Sequence, residues 1–402
     1  MLDREGSELK KELVELSRPD YGEEEISAVA AALRSGWTTT GPRTAAFEKA
    51  FREFTGARFA LGVNSGSAAL HLALAALGVG PGDEVITTPL TFCATVNAIL
   101  LTGATPIPAD IGADLNISPE AVRRAITPRT RAILPVHYAG LPCDMKSISA
   151  LAREHKLFVV EDAAHAAGAS IGPVRVGAGA SDAVAFSFYA TKNLSTGEGG
   201  MVTCHDEQLY ERMRVLSLHG ISRDAWGRHA TEVWGRHATK DSWAYEVTEC
   251  GFKYNMSDVT AAIGLAQLGR LEEMNRRRAA IAGAYNAAFS QMAELELPPD
   301  SADVTHAWQL YVLRLNLERL RADRSEFIAE MRRRGVECSV HFIPIPLHPY
   351  YRARLDLRDV CARTMAEYPR LVSLPMSSAL DDREVAKVIG AVRETVQAHR
   401  CC

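Results

Sequence analysis

The sequence predicts an α/β protein on a mainly parallel sheet, followed by a smaller α+β unit. Three observations predict it. Between Gly56 and Thr203, seven short apolar runs, at 59–63, 84–88, 105–109, 132–136, 158–160, 183–188 and 201–203, alternate with helical patterns. That alternation is the signature of βαβ units. Two long stretches, 59–82 and 85–109, carry no Asp, Glu, Lys or Arg. Strands and helices buried on both faces of a parallel sheet read this way. From about Glu294 the rhythm changes, with strands expected near 309–313 and 336–342 and helices between them. The expected division is a large unit over residues 1–255 and a linking helix with a small C-terminal unit over 256–402.

The first 50 residues are polar and helical in pattern, broken by the loop Gly-Trp-Thr-Thr-Thr-Gly-Pro at 36–42. The turn Gly197-Glu198-Gly199-Gly200 is too short for a crossover helix, so the run at 201–203 is expected to be antiparallel to its neighbour. Ser257 can cap a helix reaching Arg278, in which Leu265, Leu268, Leu271 and Met274 step by three along one side. A hexapeptide, Trp226-Gly227-Arg228-His229-Ala230-Thr231, recurs at Trp234–Thr239, which reads as a duplicated surface loop.

With 45 Lys and Arg against 49 Asp and Glu, the net charge is −4 over 402 residues. That mild acidity argues against a dedicated nucleic-acid binder, which needs a basic face to neutralise phosphates. The two uncharged stretches are broken by Pro81-Gly82, Pro89, Pro106 and Pro108, so neither reads as a membrane span. Residues 1–16 are charged and lack the apolar centre of a secretory signal. Eight scattered cysteines contain no C-x-x-C pair, so no metal site is expected, and the expected location is the reducing cytoplasm.

Three polar features sit at predicted strand ends, where open parallel sheets bind ligands. Asn64-Ser65-Gly66-Ser67 opens an apolar helix. Free amides at a helix N-terminus with two hydroxyls make an anion cradle, and Gly66 admits a phosphate close to the backbone. A plain helix cap is the alternative. Glu161-Asp162 follows the buried run at 158–160, and His165 follows it. A desolvated carboxylate needs a partner, and a protonated ring nitrogen is one; a magnesium or loop aspartate is the alternative. Lys192 lies beyond Phe186-Ser187-Phe188-Tyr189, among apolar and aromatic residues. Desolvation there frees its amine as a nucleophile, whereas a random lysine is simply exposed. Phosphate cradle, ring-nitrogen acid and nucleophilic lysine are together the parts for pyridoxal 5'-phosphate (PLP). Phe92 offers a face to stack on the ring, or simply packs in the core.

With these blocks the chain resembles the DegT/DnrJ/EryC1/StrS family of PLP-dependent nucleotide-sugar aminotransferases. The likeness runs from about Pro19 to Val396. It is carried by the blocks at 36–42, 64–70, 135–140 (Pro-Val-His-Tyr-Ala-Gly), 161–168, 187–200, 251–258 (Gly-Phe-Lys-Tyr-Asn-Met-Ser-Asp) and 306–311. It is most similar to the branch that aminates C4 of UDP-4-keto sugars, including the enzyme making UDP-4-amino-4-deoxy-L-arabinose. The resemblance implies PLP fold type I (aspartate aminotransferase-like), with a mainly parallel seven-stranded sheet in the large domain. It also implies a homodimer with shared active sites, glutamate as amino donor, and a place in polysaccharide or lipopolysaccharide biosynthesis.

Carried over by position, the resemblance makes Lys192 the residue that binds PLP covalently and Asp162 the partner of its ring nitrogen. His165 lies near the ring, Phe92 stacks on it, and Ser65, Gly66, Ser67 and Ser187 surround the phosphate. Lys253 stands where many relatives have an asparagine that reaches the partner subunit's phosphate. His306, Trp308 and His341 are candidate sugar-nucleotide contacts, with His348 near them; Arg228, Arg236 and Lys253 are candidates for a diphosphate. Packed histidines and solvated cations are the alternatives.

Competing functions are a dehydratase on the same fold, where a histidine replaces the lysine, and a non-catalytic homologue that binds PLP or a sugar nucleotide as a regulator. A dTDP-linked keto sugar aminated at C3 or C4 is the alternative substrate. No G-x-G-x-x-G follows a strand, which disfavours a dinucleotide-binding dehydrogenase.

Overall fold

A computed structural model of the chain describes residues 13–222, 245–299, 303–355 and 361–401. An extended strap at Val14 leads to helices α1 (Glu23–Arg34) and α2 (Pro42–Thr55). Proline at the first turn of α2 and left-handed Gly56 after its end fix that helix's limits.

Next come β1 (Phe59–Val63), α3 (Gly66–Ala76), β2 (Glu84–Thr87), α4 (Cys93–Leu101), β3 (Thr105–Pro108), α5 (Pro119–Ala125), β4 (Thr130–Leu134), α6 (Met145–His155) and β5 (Phe158–Asp162). A small hairpin, β6 (Ser170–Ile171) and β7 (Val174–Arg175), precedes β8 (Ala183–Ser187), β9 (Gly200–Cys204) and α7 (Glu207–Ser217).

The seven apolar runs of the sequence become one seven-stranded sheet, ordered β1-β9-β8-β5-β4-β2-β3. Only β9 runs against the rest, pairing antiparallel with both β1 and β8, as its short glycine turn requires. Side chains alternate across the sheet. On β8, Ala183 and Ala185 face a core built with Leu70, Leu72 and Met213 of α3 and α7. Val184 and Phe186 face the opposite core, with Phe47 and Phe51 of α2. Each such ring contributes roughly 1.5–3 kcal/mol on burial.

A single 32-residue helix, α8 (Asp258–Phe289), then links this sheet to a second core. Ser257 caps it, its hydroxyl accepting from Thr260 N at 3.2 Å. The helix continues past Arg278 to Phe289 because Ile281, Tyr285 and Phe289 pack into the second core. That core surrounds the antiparallel sheet β10 (Leu295–Glu296), β12 (Tyr311–Leu315) and β13 (Leu371–Leu374), ordered β10-β12-β13. Strand β11 (Val304–Thr305) instead joins β6 and β7. Helices α9 (Arg324–Arg333), α10 (Pro349–Arg352), α11 (Ala362–Glu367) and α12 (Asp382–His399) complete the chain.

The strand expected at 336–342 does not form. Val336 bridges only to Val14 of the strap and Ser339 only to Ser373, so no continuous partner lies beside this segment. The duplicated hexapeptide, with Arg228 and Arg236, lies outside the described residues. No helix among the described residues is long and apolar enough to cross a membrane.

Candidate active site

Parallel strands deliver their carboxyl ends to one side of the sheet. There a cavity of about 580 Å³ collects Ser65, Gly66 and Ser67 after β1, Phe92 and Thr95 after β2, Asp162 at the end of β5, and Ser187 at the end of β8. Lys192, His165 and His341 line the same cavity.

The anion cradle is built by close backbone packing. Ser65 caps α3, its hydroxyl accepting from Ala68 N at 3.1 Å. The amides of Gly66 and Ser67 precede the first intrahelical bond and have no acceptor within the helix. A Cβ on Gly66 would stand 2.7 Å from Ser187 Cβ, and one on Gly200 would stand 2.6 Å from the Ser65 carbonyl. Only glycine at both places lets the α3 N-terminus press against the ends of β8 and β9.

The acidic pair on β5 splits by strand alternation. Glu161 turns away and accepts a 2.6 Å hydrogen bond from fully buried His137 Nε2, while His137 Nδ1 accepts from Cys143 N. Asp162 faces the cavity. Its carboxylate accepts from Thr95 Oγ1 at 2.8 Å and Ala164 N at 3.1 Å. Burial raises its pKa, offset by those two hydrogen bonds and by the charges of Lys192 and His137. No ion pair among the described residues involves Asp162.

Lys192 sits on a turn, its amide donating to the Tyr189 carbonyl at 2.8 Å. The turn is held from outside: Gln309 Nε2 donates to the Thr191 carbonyl at 2.8 Å, and Asn193 Nδ2 donates to the Ala307 carbonyl at 2.6 Å. Burial lowers the Lys192 pKa to about 8, against the opposing pull of Asp162. Burial, then Lys192 and His341, hold His165 well below its usual value. His165 Nδ1 is buried without a partner. The His165 ring stacks on Phe342 at 5.8 Å, and Phe92, 58% exposed, meets the same Phe342 ring at a tilt, also at 5.8 Å.

Four expected contacts are not in the cavity wall. Lys253 is exposed, and its ammonium donates to Asn255 of its own segment. Half-buried His306 and buried Trp308 stack on each other at 3.9 Å, and neither lines the cavity. His348 lies outside as well, its Nε2 3.3 Å from the Ile343 carbonyl. His341 is in the wall, tied by Nδ1 to Ser373 Oγ at 2.8 Å and lowered to about 4 by burial and by Lys192. Sequence reasoning missed Thr95, Gln309, Phe342 and Ser17. Thr91 and Thr95 are four residues apart and share a 2.8 Å hydrogen bond; that i, i+4 hydroxyl pair at a helix start is the one signal that pointed to Thr95.

The residues present fit PLP. A buried carboxylate with a raised pKa and no counter-ion suits a protonated ring nitrogen. A cradle that only glycine can form suits a phosphate, and an amine near pKa 8 suits a carbonyl.

Comparison with known proteins defines the class. Spr1654 of Streptococcus pneumoniae, solved in PMP and PLP forms, superposes with TM-scores of 0.88 and 0.87 at 31% and 30% identity; the PMP form covers 96% of this chain and 99% of its own. Helicobacter pylori PseC, an aminotransferase involved in the biosynthesis of pseudoaminic acid, superposes with a TM-score of 0.86 at 28% identity, over 96% of this chain and all (100%) of PseC. This is the PLP-dependent aminotransferase fold, and PLP is the cofactor. The chain belongs to the DegT/DnrJ/EryC1/StrS aminotransferase family, whose model matches residues 19–393. The spore coat polysaccharide biosynthesis protein SpsC of Bacillus subtilis is 48% identical over 384 residues, 95% of this chain and 96% of SpsC.

Proposed function

We propose that this enzyme moves an amino group from glutamate to C4 of a UDP-linked 4-keto sugar, with Lys192 and Asp162 carrying the chemistry. The observation that carries the reading is the Lys192 amine, lowered to about 8, lining one cavity with a buried Asp162 that lacks a counter-ion. The names of SpsC and PseC support a sugar substrate made for a polysaccharide or an acidic sugar. The likeness of the sequence to the branch that aminates C4 of UDP-4-keto sugars supports that nucleotide and that carbon.

Bound here, PLP supplies a carbonyl that accepts the amino group and a ring that takes up the electron pair of the broken C–H bond. The chain's own residues do the rest. The amides of Gly66 and Ser67, with Ser65 and Ser187, hold the phosphate. Asp162, ordered by Thr95 and Ala164 N, stays ionised and keeps the ring nitrogen protonated. Lys192 binds the cofactor while the site is at rest. Displaced by the donor, its neutral amine takes the proton from the donor's α-carbon and returns it on the cofactor side. The sugar half-reaction uses the same residues in reverse order, so the kinetics are ping-pong.

A division at 255/256 puts the whole cradle, with Asp162 and Lys192, in the large unit and Gln309 and His341 in the small one. Exposed Phe92 and Tyr189 at the cavity rim support a homodimer that covers them, in which Lys253 reaches the partner's phosphate. The described cysteines are all free, which supports a reducing compartment.

Purified enzyme with PLP, glutamate and a panel of UDP- and dTDP-linked 3- and 4-keto sugars tests the reading. Formation of 2-oxoglutarate and an amino sugar, with C4 aminated on the UDP member, is the expected result. A preference for dTDP sugars or C3 replaces the substrate assignment. Binding without 2-oxoglutarate makes the chain a regulator and ends the enzymatic reading.

A further inference from the structure

The cavity has a second polar pole, away from the phosphate cradle. Among the described residues, three that line the cavity each carry a buried side-chain atom without a hydrogen-bond partner: His165 Nδ1, Gln309 Oε1 and Ser17 Oγ. His165 lies beside Lys192 and Asp162 on the cofactor side. Ser17 and Gln309 lie on the small-sheet side. Leu16 of the strap accepts from Met376 N at 3.0 Å. Tyr311 of β12 pairs with Leu374 of β13, and Gln309 and Met376 each lie two residues outside that pair. Ser17 and Gln309 therefore reach the cavity from either side of Met376.

The orientation of Gln309 is dictated. Its Nε2 donates to the Thr191 carbonyl, and a carbonyl accepts only from the amide nitrogen, so Oε1 is left as a pure acceptor. The backbone before it is built to hold it. Trp308 adopts a left-handed conformation, φ 49°, strained for a bulky residue. His306 Nδ1 accepts from Trp308 N at 2.8 Å, the two rings stack, and buried Arg278 donates to the Trp308 carbonyl at 3.4 Å and the Met376 carbonyl at 3.1 Å. His306 and Trp308 thus act from outside the cavity lining, at the turn just before Gln309.

A buried acceptor needs a hydrogen from whatever occupies the site. A carboxylate has none to give. It also finds no cation at this pole, since Lys192 is the only lysine or arginine lining the cavity among the described residues. A sugar hydroxyl supplies the hydrogen for Gln309 Oε1. The Ser17 hydroxyl can donate to or accept from a neighbouring hydroxyl, and Leu374 and Met376 offer an apolar surface to the C–H groups of the ring. We infer that Ser17 and Gln309 read hydroxyl groups of the keto-sugar substrate, and that the carboxylates of the amino donor are held elsewhere. The inference rests on the aminotransferase reading above.

The test separates the two half-reactions in Ser17→Ala, which removes one atom, and in Gln309→Met, which keeps side-chain length. PLP-loaded enzyme with L-glutamate gives the donor half-reaction, and PMP-loaded enzyme with the keto-sugar panel gives the sugar half-reaction, both followed by cofactor absorbance. The expected result is that the sugar-to-donor ratio of specificity constants falls about tenfold or more in each variant, the loss expected when a polar recognition partner is removed. Parallel loss of both half-reactions makes Gln309 a support for the Lys192 turn and overturns the inference. A ratio unchanged in both variants overturns it as well. Failure of the underlying reading shows separately, in a wild type that neither deaminates glutamate nor aminates any sugar of the panel.

Discussion

An amine that titrates near 8 behaves differently from an ordinary lysine near 10.4, and the difference is measurable. Only the neutral amine captures a carbonyl. Below pH 8 the neutral fraction of Lys192 falls about tenfold per unit, and above it the fraction saturates. The rate of PLP capture by the apoenzyme, read by stopped-flow absorbance, should therefore rise to about pH 8 and level off. A rate still climbing tenfold per unit between pH 8.5 and 10 would show an ordinary lysine, and Lys192→Ala should capture no borohydride-reducible PLP at all. Asp162 depends on its neighbours in a graded way. Thr95→Val keeps shape and removes one hydrogen bond, so the donor half-reaction should slow by about three- to tenfold. Asp162→Asn removes the charge itself and should slow it by about a hundredfold or more, with PLP still bound. Equal rates in the two variants would sink the charge argument. Lys192 and Asp162 were legible because each breaks an apolar pattern. Thr95 was not, because a threonine inside an uncharged stretch looks like core. His306 and Trp308 misled for the opposite reason. Their types suggest ligand contact, whereas the structure leaves them out of the cavity lining, at the left-handed turn just before Gln309.

Elements place those residues, and one contact between elements is tight enough to predict from. Gly66 opens α3 with no room for a methyl group, Ser187 Cβ lying 2.7 Å and Ser187 Cα 3.1 Å from where it would stand. The clash is with backbone and a Cβ rather than the tip of a flexible side chain, so Gly66→Ala must push α3 away from the end of β8. Overpacking of this kind costs about 1–3 kcal/mol. The same displacement opens the cradle, so phosphate-dependent PLP affinity should fall more than capture of pyridoxal, which has no phosphate. Titration of apoenzyme with both vitamers checks it, and equal losses would mean that the helix start does not hold the phosphate. The seven strands of the main sheet were readable because a strand buried on both faces is a short run of apolar residues between helices. The expected strand at 336–342 has the same look. A run becomes a strand only beside a continuous partner, and here Val14 and Ser373 each offer a single bridge. Pairing is a property of neighbours, which periodicity along one segment does not record. The β6–β7 hairpin went unread because two-residue strands carry no period.

Across the whole molecule, burial of histidines sets the response to acid. Burial lowers His306 to about 3 and, with Lys192, His341 to about 4, and it lowers His71 and His165 as well. In the unfolded chain these groups titrate near 6.5. Between that value and their folded values the unfolded state binds more protons than the folded one, so stability falls as pH falls. Their contribution is fully present above about pH 6.5 and is lost progressively down to about pH 4 for His341 and about 3 for His306. Buried Asp162 and Asp182 work the other way, because their raised folded values favour the folded state as they take up protons. That opposition acts between 3.8 and each raised value and trims the slope, and four histidines against two carboxylates leave its sign to the histidines. Each histidine adds up to about 1.4 kcal/mol per pH unit to the slope. Urea unfolding at fixed PLP concentration should therefore give midpoints that drop steeply from pH 6.5 to 5 and are flat from 6.5 to 7.5. His306→Gln removes one titrating group while keeping an acceptor for Trp308 N, and should flatten the acid limb by up to that same 1.4 kcal/mol per unit. An unchanged slope in His306→Gln would mean that His306 is charged in the folded protein. A protonated imidazole at Nδ1 cannot accept from Trp308 N, so the left-handed turn that carries Gln309 would then need another support.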